Sequence, residues 1–89
     1  MDFKWDENKR LSNLLKHQID FADAVGVFYD NWAITVEDPD YFGEQRFITI
    51  GVDFKLQVLV VVYVQREGDT IRLISARKAN SGERKQYEG

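Results

Sequence analysis

Apolar residues along this chain change their period partway through. Between Asp6 and Phe28 they recur at helical spacing. Leu11, Leu14 and Leu15 share one side of a segment that runs to His17, and Phe21, Ala24, Val25 and Phe28 follow at i, i+3, i+4 and i+7. Asp6 and Asp20 stand where N-cap residues belong. The pattern predicts two helices, each with its apolar side in the core. Beyond Trp32 the runs "WAITVED", "RFITIGV", "LQVLVVVYVQR" and "TIRLISA" read as strands rich in β-branched residues, and "DFKW" as a short strand at the start. "DPDYFGE" is a turn, while "DFK" and "EGD" suit tight hairpins. A last short helix opens at Asn80 or Ser81, with Glu83 placed to close a capping box on Asn80. Helices followed by a meander predict one α+β domain over residues 1–89. Two N-terminal helices would pack on an antiparallel, roughly four-stranded twisted sheet, with a short C-terminal helix.

If both hairpin loops hold three residues, Val52 pairs with Leu56 and Arg66 with Thr70. Alternation then sets Arg46, Arg66 and Arg72 on one face with Ile48, Ile50, Val60, Val62 and Ile74. The other face takes Phe47, Leu59, Val61, Tyr63, Leu73 and Ser75. Arg77 joins the Tyr63 face unless a bulge turns it toward the other arginines. Both faces of the central strand are apolar, so both need cover.

Composition narrows the chemistry. The 89 residues, 44% hydrophobic, suffice for one modest core. Without cysteine there is neither a disulfide nor a thiolate, and one histidine cannot build a histidine-rich metal site. "EDPD" has too few regularly spaced ligands to hold a metal. No cofactor or metal is expected. The start, "MDFKWDENKR", is unlike a signal peptide, and the longest apolar run, "VLVVVYV", is too short to cross a membrane. A soluble, cytoplasmic protein is expected.

Charge is unevenly placed within a net −3. Residues 1–45 carry 10 acidic and 4 basic residues, whereas residues 46–89 carry 5 acidic and 8 basic. Such halves predict a cationic side able to attract phosphate, unless they interleave in space. Arginine presents a permanently charged fork of donors matched to phosphate oxygens. Cleaving RNA through its own 2′-hydroxyl needs a proton acceptor, stabilisation of the phosphorane and a proton for the leaving 5′-oxygen. The candidate catalytic residues are Arg46, Tyr63, Arg66, Arg72 and Arg77, and the candidate RNA-binding residues are Lys16, His17, Lys78 and Tyr87. The structural alternatives are solvated or carboxylate-paired arginines, and a His17 that caps or packs.

The phrases "FKWDENKRLSNLLKH", "FADAVGVFYD", "EDPD", "EQRFITIG", "LVVVYVQR" and "RLISARKANSGERKQYE" resemble the BrnT toxin family in order and spacing, over nearly the whole chain. The opening W-D-x-x-K-x-x-x-N-x-x-K-H is met by Trp5, Asp6, Lys9, Asn13, Lys16 and His17, and the close reads I-S-A-R-x-A-x-x-x-E-R. Gln18 departs from the glycine common after the histidine, and Asn80 from the threonine common before the last helix. The resemblance implies a RelE-like fold and a ribonuclease toxin. Its partner would be a BrnA-like ribbon-helix-helix antitoxin, in a complex of two toxins and two antitoxins that meets operator DNA only through the antitoxin. A non-catalytic RNA- or protein-binding module, or an inactive toxin remnant, is the alternative function. An exposed apolar patch is expected where the antitoxin would sit, and the acidic first half would attract a basic partner.

Overall fold

The structure, a computed structural model, describes residues 1–40 and 42–89. Asp6 starts the first helix as its spacing demands. Its carboxylate accepts from the N–H groups of Asn8 (2.8 Å) and Lys9 (3.3 Å). Helix α1 then spans Glu7–His17 and ends at Gln18, which takes the left-handed conformation (φ 59°) and donates its N–H to the Leu14 carbonyl. Asp20 caps α2, yet α2 is a single turn, Phe21–Ala24, that tightens into a 3-10 segment over Val25–Tyr29. Gly26 lies in that segment against the backbone of a sheet turn. A Cβ there would stand 2.5 Å from the Phe54 nitrogen and 2.8 Å from the Asp53 carbonyl carbon.

The strands are β1 (Asp2–Lys4), β2 (Ile34–Glu37), β3 (Phe47–Val52), β4 (Val58–Arg66) and β5 (Thr70–Lys78), and α3 spans Ser81–Glu88. They form one sheet in the order β1-β5-β4-β3-β2, with β1 parallel to β5 and the other pairs antiparallel. The expected four-stranded antiparallel sheet under two N-terminal helices is therefore overturned. The sheet is mixed and five-stranded, and α1 is the one extended helix before it. Two features account for the difference. Phe3 draws β1 onto the sheet edge, in register with Ile71 and with its ring against Phe28 (5.3 Å). The second helix keeps α geometry only over Phe21–Ala24 and runs on as a 3-10 segment to Tyr29.

The β3–β4 turn is longer than three residues, because Val52 pairs with Val58. Asp53 organises it, accepting from the N–H groups of Lys55 (3.0 Å) and Gln57 (2.8 Å). A two-residue difference preserves parity, so β3 and β4 face as expected. β5 does not. Val62 pairs with Ser75 but Tyr63 with Leu73, so Ile74 is an extra residue in a β-bulge. Beyond it the strand is turned over: Ala76 faces the core with Leu59, Val61, Tyr63 and Leu73, whereas Arg77 lies opposite Val60 on the face of Arg72.

The core closes over the first of these faces with Ile19, Phe21, Ala24 and Val27. Helix α3 packs on the second, against β3. A capping box between Asn80 and Glu83 starts α3. Near its end the Tyr87 hydroxyl donates to Asp30 (2.5 Å), which also accepts from the N–H groups of Val52 and Trp32. Burial opposes ionisation of Asp30, but these three donors outweigh it and hold the carboxyl below its ordinary range. The bond to Asp30, with burial, pushes the Tyr87 phenol up to about 12.

The apolar side of α1 does not enter the core. Leu11, Leu14 and Leu15 are 51%, 38% and 83% exposed, and the residue α1 buries is Asn13. Its amide nitrogen donates to the carbonyls of Ile19 (2.9 Å) and Ala76 (2.8 Å), and its oxygen accepts from the Ala76 N–H (3.0 Å). One side chain thereby pairs both backbone groups of a strand position that β1 does not reach. None of the helices is long and apolar enough to cross a membrane among the described residues.

Three outcomes follow from these contacts. Asn13→Ala strands three buried backbone groups and lowers unfolding stability by about 3 kcal/mol, measured by urea denaturation. Gln18→Gly relieves a left-handed non-glycine residue and raises stability by about 0.5 kcal/mol, seen as a Tm higher by roughly 3 °C. The Tyr87 phenol is raised on folding, so its contribution is intact below pH 10 and lost as pH rises through about 12. Tyrosinate absorbance at 295 nm, wild type minus Tyr87→Phe, titrates with a midpoint near 12.

Candidate active site on the arginine face

Register assembles a cationic row on the sheet face opposite the one that carries Leu59, Val61, Tyr63 and Leu73. Lys4 is in register with Arg72 across the β1–β5 pair, Arg72 lies opposite Val64, and Arg46, one residue before β3, continues the row past Val64. Neighbouring strands lie about 4.8 Å apart, so Lys4 and Arg72 are adjacent and Arg46 is about 10 Å from Arg72 at the backbone. Arg66 stands two residues along β4 from Val64, on the same face and opposite Thr70. Lys4, Arg66 and Arg72 line an open cleft of about 630 Å³, together with Glu44, Gln65, Glu67 and Thr70.

The four arginines differ in how far they are committed. Arg66 pairs with Glu44 at 2.9 Å, with both side chains half-exposed, an arrangement worth about 0–1 kcal/mol. Arg46 approaches Asp38 only to 3.6 Å, beyond hydrogen-bond range, and its Nε is buried with no partner among the described residues. Arg77 grips Glu83 with both terminal guanidinium nitrogens at 2.8 Å. Those bonds hold the guanidinium above its ordinary value and the Glu83 carboxyl below its own. Glu83 also accepts from the Asn80 N–H, so the same carboxylate caps α3 and binds Arg77 to it. Among the described residues Arg72 alone of the four has no carboxylate partner.

The bulge brings Arg77 to the right face but not to the row. Its partner Val60 is four residues from Val64, roughly 13 Å along β4. Tyr63 is not brought there at all. It points into the core, 6% exposed, with Phe28 edge-on at 4.9 Å and Phe47 stacked at 5.8 Å, and its hydroxyl accepts from Thr49 (3.3 Å). Tyr87 is engaged by Asp30. Lys78 ends β5 in a shallow depression beside Arg84, Gln57 and Leu56. Lys16 and His17 lie in a separate groove at the sheet edge, with Lys9, Ser12 and Ser75.

Sequence reasoning missed Lys4, Glu67 and Ser75. Lys4 enters the row only through the parallel β1–β5 pairing. Ser75 changes face only through the bulge. Glu67 was legible as an acidic residue beside Arg66 in "QREGD", but no periodicity places it in a cleft.

A model of the family described as "Ribonuclease toxin, BrnT, of type II toxin-antitoxin system" matches residues 5–83. Among solved structures, the crystal structure of the Brucella abortus ribonuclease toxin BrnT is similar, with a TM-score of 0.67 and 28% sequence identity, covering 91% of this chain and 99% of that one. No curated protein matches. With the opening and closing motifs both in place, the chain belongs to the BrnT family of ribonuclease toxins of type II toxin-antitoxin systems.

Proposed function

We propose that this chain is an endoribonuclease that cuts RNA at the cleft lined by Lys4, Arg66, Glu67 and Arg72, so inhibiting translation and growth from the cytoplasm. The observation that carries the reading is Arg72, a guanidinium in a cationic row with no carboxylate partner among the described residues. Arg72 and Arg66 stabilise the charge on the phosphorane, and Arg46 extends the grip toward a neighbouring backbone oxygen. Glu67, which has no ion-pair partner among the described residues, takes the 2′-hydroxyl proton. The resulting alkoxide attacks phosphorus, the bond to the 5′-oxygen breaks, and the Lys4 ammonium protonates that oxygen. The products are a 2′,3′-cyclic phosphate and a 5′-hydroxyl. Arg77 serves this site at a distance, by anchoring α3.

The antitoxin in this reading is a BrnA-like ribbon-helix-helix protein, in a complex of two toxins and two antitoxins that binds operator DNA through the antitoxin. Ile34 and Val36, in register with Ile50 and Ile48, expose apolar surface at the sheet edge on the face that carries the cationic row. A protein seated there covers both together.

One observation favours a second reading, in which the face binds RNA without cutting it: Arg46, Arg66 and Arg77 each lie beside a carboxylate. A cleavage assay on end-labelled RNA separates the two. The proposal expects cuts ending in 2′,3′-cyclic phosphate, abolished by a 2′-deoxy substitution at the cut site and slowed about 100-fold or more by Arg72→Ala. Equal cleavage by wild type and Arg72→Ala overturns the assignment. RNA binding with no cutting by the wild type establishes the second reading.

A further inference from the structure

The outer edge of β5 is covered in two places and open between them. β1 covers it as far as Arg72, and the Asn13 side chain takes both backbone groups of Ala76. Between these points, Ile74 and Ser75 form the floor of a groove of about 190 Å³, walled by the α1 residues Lys9, Ser12, Lys16 and His17. We propose that this groove is a second phosphate site, occupied by a phosphodiester of the same RNA strand whose scissile group sits in the Arg72 cleft. The inference rests on the reading of that cleft as an RNA site.

The chemistry of the lining selects an anion. Two lysines, a histidine and two serines line the groove, and no carboxylate residue does. The acids at either end of α1 that form ion pairs are engaged with Arg10. Glu7 and Asp20 both hold Arg10, the latter at 3.0 Å. Asn13 contributes no donor, since both its amide hydrogens and its oxygen are bound to backbone. Lys9, Lys16 and His17 have no ion-pair partner among the described residues. The volume corresponds to about six waters, room for a phosphate group and part of its hydration shell.

Position selects the kind of anion. Ser75 lies opposite Val62 and therefore shares its face with Arg72 and Arg77. It is about 10 Å along β5 from Arg72. That distance is too long for both to hold one phosphate, and suits successive phosphates of a single strand. The bulge at Ile74 creates the arrangement, because an unbulged β5 would turn Ser75 to the core face.

Two uncleavable probes test this. One is a 2′-O-methylated RNA of about eight nucleotides, long enough for both sites, and the other a 2′-O-methylated dinucleotide with one phosphodiester. Affinities are measured by titration calorimetry for the wild type and for Lys9→Ala with Lys16→Ala. Both lysines are solvent-exposed residues of α1, where alanine is the best helix former. The longer RNA is expected to bind the double variant about tenfold more weakly, with its salt slope reduced by about one to two, while the dinucleotide is unaffected. Unchanged affinity for the longer RNA overturns the groove and leaves the cleft standing. So does a groove that binds an acidic peptide, lost in the double variant, with no change toward RNA. If neither probe binds the wild type, the RNA reading of the cleft itself falls, and the groove with it.

Discussion

The structure turns on one buried amide. An edge strand exposes backbone groups that must be satisfied, and β1 is too short to satisfy those of β5. The Asn13 side chain presents a donor and an acceptor in the geometry of a peptide group, and takes the N–H and carbonyl of Ala76 as a neighbouring strand would. Its second amide hydrogen holds the Ile19 carbonyl, just before the chain re-enters the core. The contact fixes α1 along the sheet edge and sets the depth of Ile19 and Phe21. Because both ends of β5's outer edge are then closed, the bulge between them is held at a defined place. A residue of this kind is worth more than its three hydrogen bonds, since losing it leaves low-dielectric backbone groups without partners.

The bulge is the second constraint, and it decides which chemistry meets which. A regular β5 would bury Arg77 and expose Ala76. With Ile74 inserted, Ala76 closes the core and Arg77 reaches the far face, where Glu83 meets it. The arginine pairs on that face are unequal. Arg66–Glu44 is solvent-screened and weak. Arg77–Glu83 is bidentate, and Glu83 is further tied into the cap of α3, so exchange there would also loosen the helix. The face thus separates an arginine tied to its own helix from one held only by a screened pair.

The exposed leucines of α1 follow from the same geometry. Because Asn13 must face the sheet edge, residues on the opposite side of the helix face outward, and these are Leu11, Leu14 and Leu15. Helical periodicity located that stripe correctly but could not say which way it turned. A stripe of three leucines reads as core unless a buried polar residue claims the inner side, and Asn13 does.

Local chemistry determined the elements. Asp6, Asp20 and the Asn80–Glu83 box cap helices where their spacing implies, and the β-branched runs become strands, because capping and alternation depend on near neighbours in the chain. The family motifs also lie in the linear sequence. Tertiary structure decided the rest. It brought Gly26 against a backbone 27 residues away, where there is no room for a Cβ. It added β1 to the sheet, through a parallel pairing that no hairpin announces. It turned Arg77 and Ser75 to the far face, through one unpaired residue. Tyr63 and the arginines alternate along the same strands, yet face opposite sides, so sharing a strand did not make them one site. Caps and strand runs need only the residues beside them, whereas pairing partners, bulge position and burial depend on chain segments that meet only after folding.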